Sequence, residues 1–145
     1  MSEFGRRIRP YVKSEILAAY QAERRGQPDV AFSHLERAHI LGQASTVEHV
    51  RVHWHMLLWS IHQRNVQECL GQMLRIVGAA IGTAIGLVPQ GNTGGTNVPP
   101  FKSMPIPPEL AALIGVAHTT GSSYSSSPSA SAQPQTERHL RKPSE

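Results

Sequence analysis

Residues Thr46–His62, TVEHVRVHWHMLLWSIH, constrain the fold more than any other stretch of this chain. Apolar side chains recur there at three- and four-residue spacing, the period of a helix and not of a strand. Val47, Val50, Trp54, Leu57, Leu58 and Ile61 form one face, and His49, His53, Met56 and Ser60 form a stripe beside it. His55, Trp59 and His62 fall on the far side with Glu48 and Arg51. A helix apolar over more than half of its circumference needs neighbours on two sides. The sequence therefore predicts a helical bundle with this segment at its centre.

The flanking segments supply those neighbours. A first helix is expected over Tyr11–Arg25, where Ile16, Leu17 and Tyr20 recur at helical spacing with the small residues Ala18 and Ala19. Gly26 stops it, and Gln27-Pro28-Asp29 turns the chain into a second helix, Asp29–Gln43. The apolar arc of that helix carries Ala31, Phe32, Leu35, Ala38 and Gly42, with His39 inside the arc and His34 at its edge. Ser45 or Thr46 caps the third helix, expected over Thr46–Asn65, and Glu48 in its first turn suits the helix dipole. A fourth helix, Val66–Leu87, carries Leu70, Met73, Leu74, Val77, Ile81 and a glycine edge, Gly78, Gly82 and Gly86. Each glycine costs a helix about 1 kcal/mol relative to alanine. Three in register are expected to lie against another helix backbone, with a homodimer seam as a further use of the same edge.

Residues 89–98 read as a loop, and the prolines at 99–100 and 105–108 enforce extended chain. A short closing helix is expected over Glu109–Val116. The remainder, rich in Ser, Pro and Gln, is expected to be disordered. The expectation is thus an all-α fold, an antiparallel bundle of about four helices. It comprises a basic lead-in (1–10), a helical domain (11–116) and a disordered tail (117–145).

Composition narrows the function. The net charge of +4 is scattered over RRIR near the start, Arg24-Arg25 and RHLRK near the end, without a basic stripe interleaved with aromatics. This argues against nucleic-acid binding. The most apolar run, Ile76–Val88, has 13 residues and is too short to span a bilayer. The basic N-terminus has no apolar run behind it, as a secretory signal would. One cysteine, Cys69, excludes an intramolecular disulfide and any CxxC metal motif. Cytoplasmic localisation is expected.

The candidate chemistry is imidazole chemistry. The chain has eight histidines, and His34, His39, His49, His53 and His55 crowd onto two adjacent helices. His49 and His53 form an H-x-x-x-H pair, whose side chains lie about 6 Å apart on one helix face and can share one metal ion. The residue after His49 is Val50 rather than Glu, so this is not the HExxH motif of zinc proteases. A third ligand must come from another helix. His39 is the first candidate; His34, His55 and Glu68 are completing groups, and Glu23 is a further carboxylate. Zinc or another divalent transition metal suits nitrogen ligands. The paired E-x-x-H motifs of di-iron bundles are missing, and bis-histidine haem ligation is a weaker option. Cys69 reads as a small buried residue before it reads as a ligand. Gly91–Gly95 reads as a loop, with Asn92 and Thr93 able to fold back over the histidines.

Two resemblances accompany these residues. Ala18-Ala19, Gly26, Ala31, Leu35 and Ala38 resemble one tetratricopeptide hairpin, which implies close packing of two helices and no peptide groove. The block HLERAHILGQASTVEHVRVHWHMLLW, with RNVQECLGQMLR and PQGNTGG, resembles a small bacterial family catalogued as domain of unknown function 3703. The resemblance covers about residues 5–98. It implies a stand-alone bacterial protein, with the histidines at 34, 39, 49, 53 and 55 as its most specific feature, and brings no activity. Three functions remain open: a non-catalytic metal-binding or metal-homeostasis protein, an interaction or homodimerisation module with structural histidines, and a small metal- or histidine-dependent enzyme.

Overall fold

The computed structural model describes residues 2–86 and 89–119, and among them it contains five α-helices and no strand. They are α1 (Glu3–Arg24), α2 (Pro28–Gly42), α3 (Thr46–His62), α4 (Val66–Ala84) and α5 (Pro108–Thr119). The all-α bundle expected from periodicity is what forms. Helix α1 packs on α2, α3 and α5; α2 packs on α3 and α5; and α4 packs on α3.

The start of α1 departs from expectation. The helix begins at Glu3 rather than Tyr11, and its N-cap Ser2 accepts the Gly5 N–H at 3.0 Å. Residues 3–10 are therefore helix and not a lead-in. Pro10 suggested a boundary, and within a helix it costs about 3 kcal/mol. Burial offsets this: Ile8 and Val12, one turn apart, are fully enclosed and Phe4 is partly so, and complete burial of such a side chain contributes about 1.5–3 kcal/mol.

The α1–α2 hairpin closes as its small residues require. Ala19, Ala22, Ala31 and Ala38 are buried between the helices beside Leu35, and Gly26 (φ 71°) makes the left-handed C-terminal turn. Leu17, expected on the apolar side, is exposed. Helix α3 ends at His62 rather than Asn65. Arg64 turns the chain at φ 55°, and Asn65 becomes the N-cap of α4, accepting the Glu68 N–H at 3.0 Å.

The orientation of α3 reverses one sequence expectation. Its buried side is Glu48, His49, Val52, His53, Met56, Leu57 and Ser60. Val47, Trp54 and Ile61, assigned to the apolar face, are 41–53% exposed. The histidine stripe, not the aliphatic row, faces the core. Glu48 is also inside, held by Arg9 at 2.8 Å, and not on the far side.

The glycine edge of α4 is a second correction. A Cβ built at Gly78 meets nothing within 4 Å, so this edge does not press on another helix. Gly71, Gly78 and Gly82 instead line a cavity. The expected end of α4 at Leu87 lies outside the described residues, and so does the tail beyond Thr119. The closing helix begins one residue before and ends three residues after the expected Glu109–Val116, burying Ala117 and stacking His118 on Phe4 with ring centroids 4.4 Å apart.

Candidate metal centre

Helices α2, α3 and α4 and the loop after α4 meet around three imidazoles. His39 comes from the last turn of α2, and His49 and His53 from successive turns of α3. All three are buried, at 2%, 5% and 2% exposure. Their Nε2 atoms converge: His39 to His49 is 2.8 Å, His39 to His53 is 3.2 Å, and His49 to His53 is 3.2 Å. An ion bound by imidazoles at about 2.0–2.1 Å holds its nitrogens about 2.9–3.4 Å apart, from octahedral to tetrahedral angles. The two 3.2 Å edges fall inside that range and the 2.8 Å edge just below it, and the three residues form a group that could hold a metal ion.

The opposite ring nitrogens explain why the Nε2 atoms point inward. His39 donates Nδ1–H to the Asn92 carbonyl oxygen at 2.7 Å; a carbonyl only accepts, so this nitrogen carries the proton. His53 Nδ1 lies 2.6 Å from Gln72 Oε1. The Gln72 amide nitrogen donates to Glu68 Oε1 at 2.6 Å and to the Gly94 carbonyl at 2.9 Å. Those two acceptors fix the amide orientation, so Oε1 accepts from His53 Nδ1–H. In the neutral rings, His39 Nε2 and His53 Nε2 therefore both carry lone pairs. His49 Nδ1 meets the Thr83 hydroxyl at 2.6 Å, a group that donates or accepts. His49 is the one ring with a choice of tautomer. Without a metal its Nε2–H can donate to His39; with one, Thr83 accepts from Nδ1–H and the third lone pair turns inward.

Electrostatics keep the rings neutral. Burial lowers the His49 pKa to about 3, with His53 and Arg75 adding repulsion. Burial also lowers His53 to about 4, partly opposed by its bond to Gln72. His39 is held well below the ordinary imidazole range by burial and by its two neighbours. A metal ion arriving at neutral pH has no proton to displace from an imidazolium.

A second ring of contacts holds the first. Glu68 accepts from Gln72 and from the backbone and hydroxyl of Thr96. Asn92 donates Nδ2–H to the carbonyls of Pro99 and Lys102, both at 2.9 Å, and its Oδ1 accepts the Gly94 N–H at 3.0 Å. Gly94 (φ 84°) lies against the His39 ring, where a Cβ would come within 2.7 Å of Cδ2. The loop folds back over the histidines through Asn92, as its sequence allowed.

The other sequence candidates lie elsewhere. His34 faces Glu15 at 2.7 Å, His55 meets the Tyr20 hydroxyl at 2.9 Å, and Glu23 meets His62 at 3.1 Å. Cys69 is half-buried and not in the group. Glu68 stands one layer behind His53, supporting Gln72. Sequence reasoning missed Gln72, Thr83 and Arg75. A glutamine and an arginine interrupting the apolar rows of α4 were the available signal.

The model of the family described as "Protein of unknown function (DUF3703)" matches residues 6–114, about three quarters of the chain. The chain belongs to this family. The matched segment of this DUF3703 protein contains all three converging histidines and the loop that braces them. No curated protein and no solved structure matches it. Among the described residues, no helix is long and apolar enough to cross a membrane.

Proposed function

We propose that the protein is a cytoplasmic, non-catalytic metal-binding protein of metal homeostasis, with His39, His49 and His53 as ligands of one divalent transition ion. The observation that carries this reading is the convergence of three Nε2 atoms on rings whose Nδ1 atoms are engaged outward. Neutral lone pairs packed 2.8–3.2 Å apart repel unless a cation or a shared proton lies among them. Histidine ligands of metals almost always donate their second nitrogen to a carbonyl or carboxylate-linked acceptor, as His39 and His53 do here. An all-imidazole set favours zinc, copper or nickel over calcium or magnesium. His34, His55 and Glu68 are set aside as ligands in this reading. Metal analysis of protein purified without a histidine tag is the test. One equivalent per chain, lost in His49→Ala/His53→Ala, is expected; metal-free protein that takes up none contradicts the reading.

The outer face of α4 favours a second role, association with another copy of the chain. Val66, Leu70, Met73 and Val77 are 54–69% exposed and share that face without a charge, with Leu74 and Ile81 at its border with the cavity, and Trp54 and Ile61 are exposed on α3, on which α4 packs. Exposed apolar patches of this kind mark contact surfaces. Light scattering tests it: twice the chain mass is expected, and a monomer at tens of micromolar contradicts it.

A further inference from the structure

The three histidines line a cavity of about 740 Å³ together with α4 and the loop 89–101. Imidazoles supply three coordination positions, and a divalent ion takes at least one more ligand. What fills that position depends on the charge and shape of the cavity.

Neutral imidazoles cancel none of the ion's charge. Arg75 adds another positive charge on the cavity wall, close enough to repel protonation of all three histidines. Its Nη2 donates to the carbonyls of Gly95 at 3.1 Å and Val98 at 2.5 Å, which fixes the guanidinium without neutralising it. Among the described residues no carboxylate forms an ion pair with it; Glu68 acts on it only through space. A half-buried guanidinium beside a buried cation is costly unless an anion joins them. The remaining walls are apolar, with Leu74, Ala79, Ile81, Val98, Pro100 and Phe101 among them. Apart from the three histidines and Arg75, the described lining residues carry no acid or base, and the Thr96 hydroxyl and the Asn92 amide are already engaged.

We infer that the open side of the metal centre takes a small monocarboxylate with an apolar tail, one oxygen on the metal, the other facing Arg75, and the tail along the α4 wall. This rests on the metal-binding reading above. Arg75 is then the residue that selects an anion, and the glycine edge of α4 is what leaves room for the tail. A Cβ at Gly78 meets no neighbouring atom within 4 Å, so packing does not require glycine there, and a longer side chain would occupy cavity space.

Cobalt(II) substitution tests both layers separately. The metal-loaded protein is titrated with hexanoate and with acetate while its visible d–d bands are followed. Hexanoate is expected to shift the bands and to bind about tenfold or more tightly than acetate, because four further methylenes leave water. Arg75→Gln, which removes the charge and keeps a polar side chain, is expected to keep the cobalt bands and lose hexanoate affinity about tenfold or more. Gly78→Leu is expected to weaken hexanoate and spare acetate, and it serves if Arg75→Gln fails to fold. Cobalt bands that neither acid shifts, or that both variants shift as the parent does, overturn this inference and leave the metal site standing. Protein that binds no cobalt overturns the metal reading and this one with it.

Discussion

Gln72 Oε1 lies 2.6 Å from His53 Nδ1, and the same amide donates to Glu68 and to the Gly94 carbonyl. One α4 side chain thus sets the tautomer of an α3 imidazole and ties the loop after α4 to both. The order of contacts, carboxylate to amide to imidazole, orients a ring whose Nε2 faces two others.

Replacing Gln72 is therefore expected to act on zinc binding through His53. Gln72→Leu is expected to lower zinc affinity about 10–100-fold, the usual loss when a ligand's outer partner is removed. It also strands the His53 Nδ1–H donor and the Gly94 carbonyl, at about 1–3 kcal/mol of stability. Calorimetric zinc titration and urea denaturation of the variant measure the two effects independently. Unchanged zinc affinity in a folded Gln72→Leu protein contradicts the account.

Two glycines of similar appearance in the sequence are expected to behave in opposite ways. Gly94 has φ 84° and its Cβ would strike the His39 ring, so Gly94→Ala should cost more than about 1 kcal/mol and weaken metal binding. Gly78 lies in mid-helix with open space where a Cβ would go. Gly78→Ala should therefore gain about 0.5–1 kcal/mol. Thermal melts of the metal-free proteins check both signs, with shifts of a few degrees expected.

Acid should destabilise the metal-free protein from near neutral pH downward. The folded-state pKa values of His49 (about 3) and His53 (about 4) are depressed, and His39 moves the same way. The unfolded chain, with imidazoles near 6.5, binds more protons below that pH. Stability from these groups is complete above about pH 6.5 and is lost as pH falls towards the folded values, each ring contributing at most about 1.4 kcal/mol per pH unit. Urea midpoints at pH 7.5, 6.0 and 5.0 should fall in that order. A flat profile would mean that the rings are not buried as described.

Helix number, the α1–α2 hairpin and the pairing of His49 with His53 were legible because period and spacing are local properties. His39 was legible as a partner because it lay within the apolar arc of the neighbouring helix. The facing of α3 was not. Counting apolar side chains favours the row of Val47, Trp54 and Ile61, whereas the buried row is His49, Val52, His53 and Met56, because satisfied hydrogen bonds let imidazoles take core positions. Pro10 misplaced the start of α1, since burial of Ile8 outweighed a local rule. Glu68 offers a carboxylate ligand by sequence, whereas Gln72, one turn on, donates to it. His34 and His55 lie close to the site in sequence, yet Glu15 and Tyr20 hold them elsewhere.

The most direct test is calorimetric titration of zinc(II) into the metal-free, untagged protein at pH 7, repeated on His39→Ala and on His34→Ala/His55→Ala. One site per chain is expected, with loss of that site or at least about a hundredfold weaker binding in His39→Ala and parent-like binding in the double variant. Absent binding, or a site that survives His39→Ala and disappears in His34→Ala/His55→Ala, would contradict the three-histidine site.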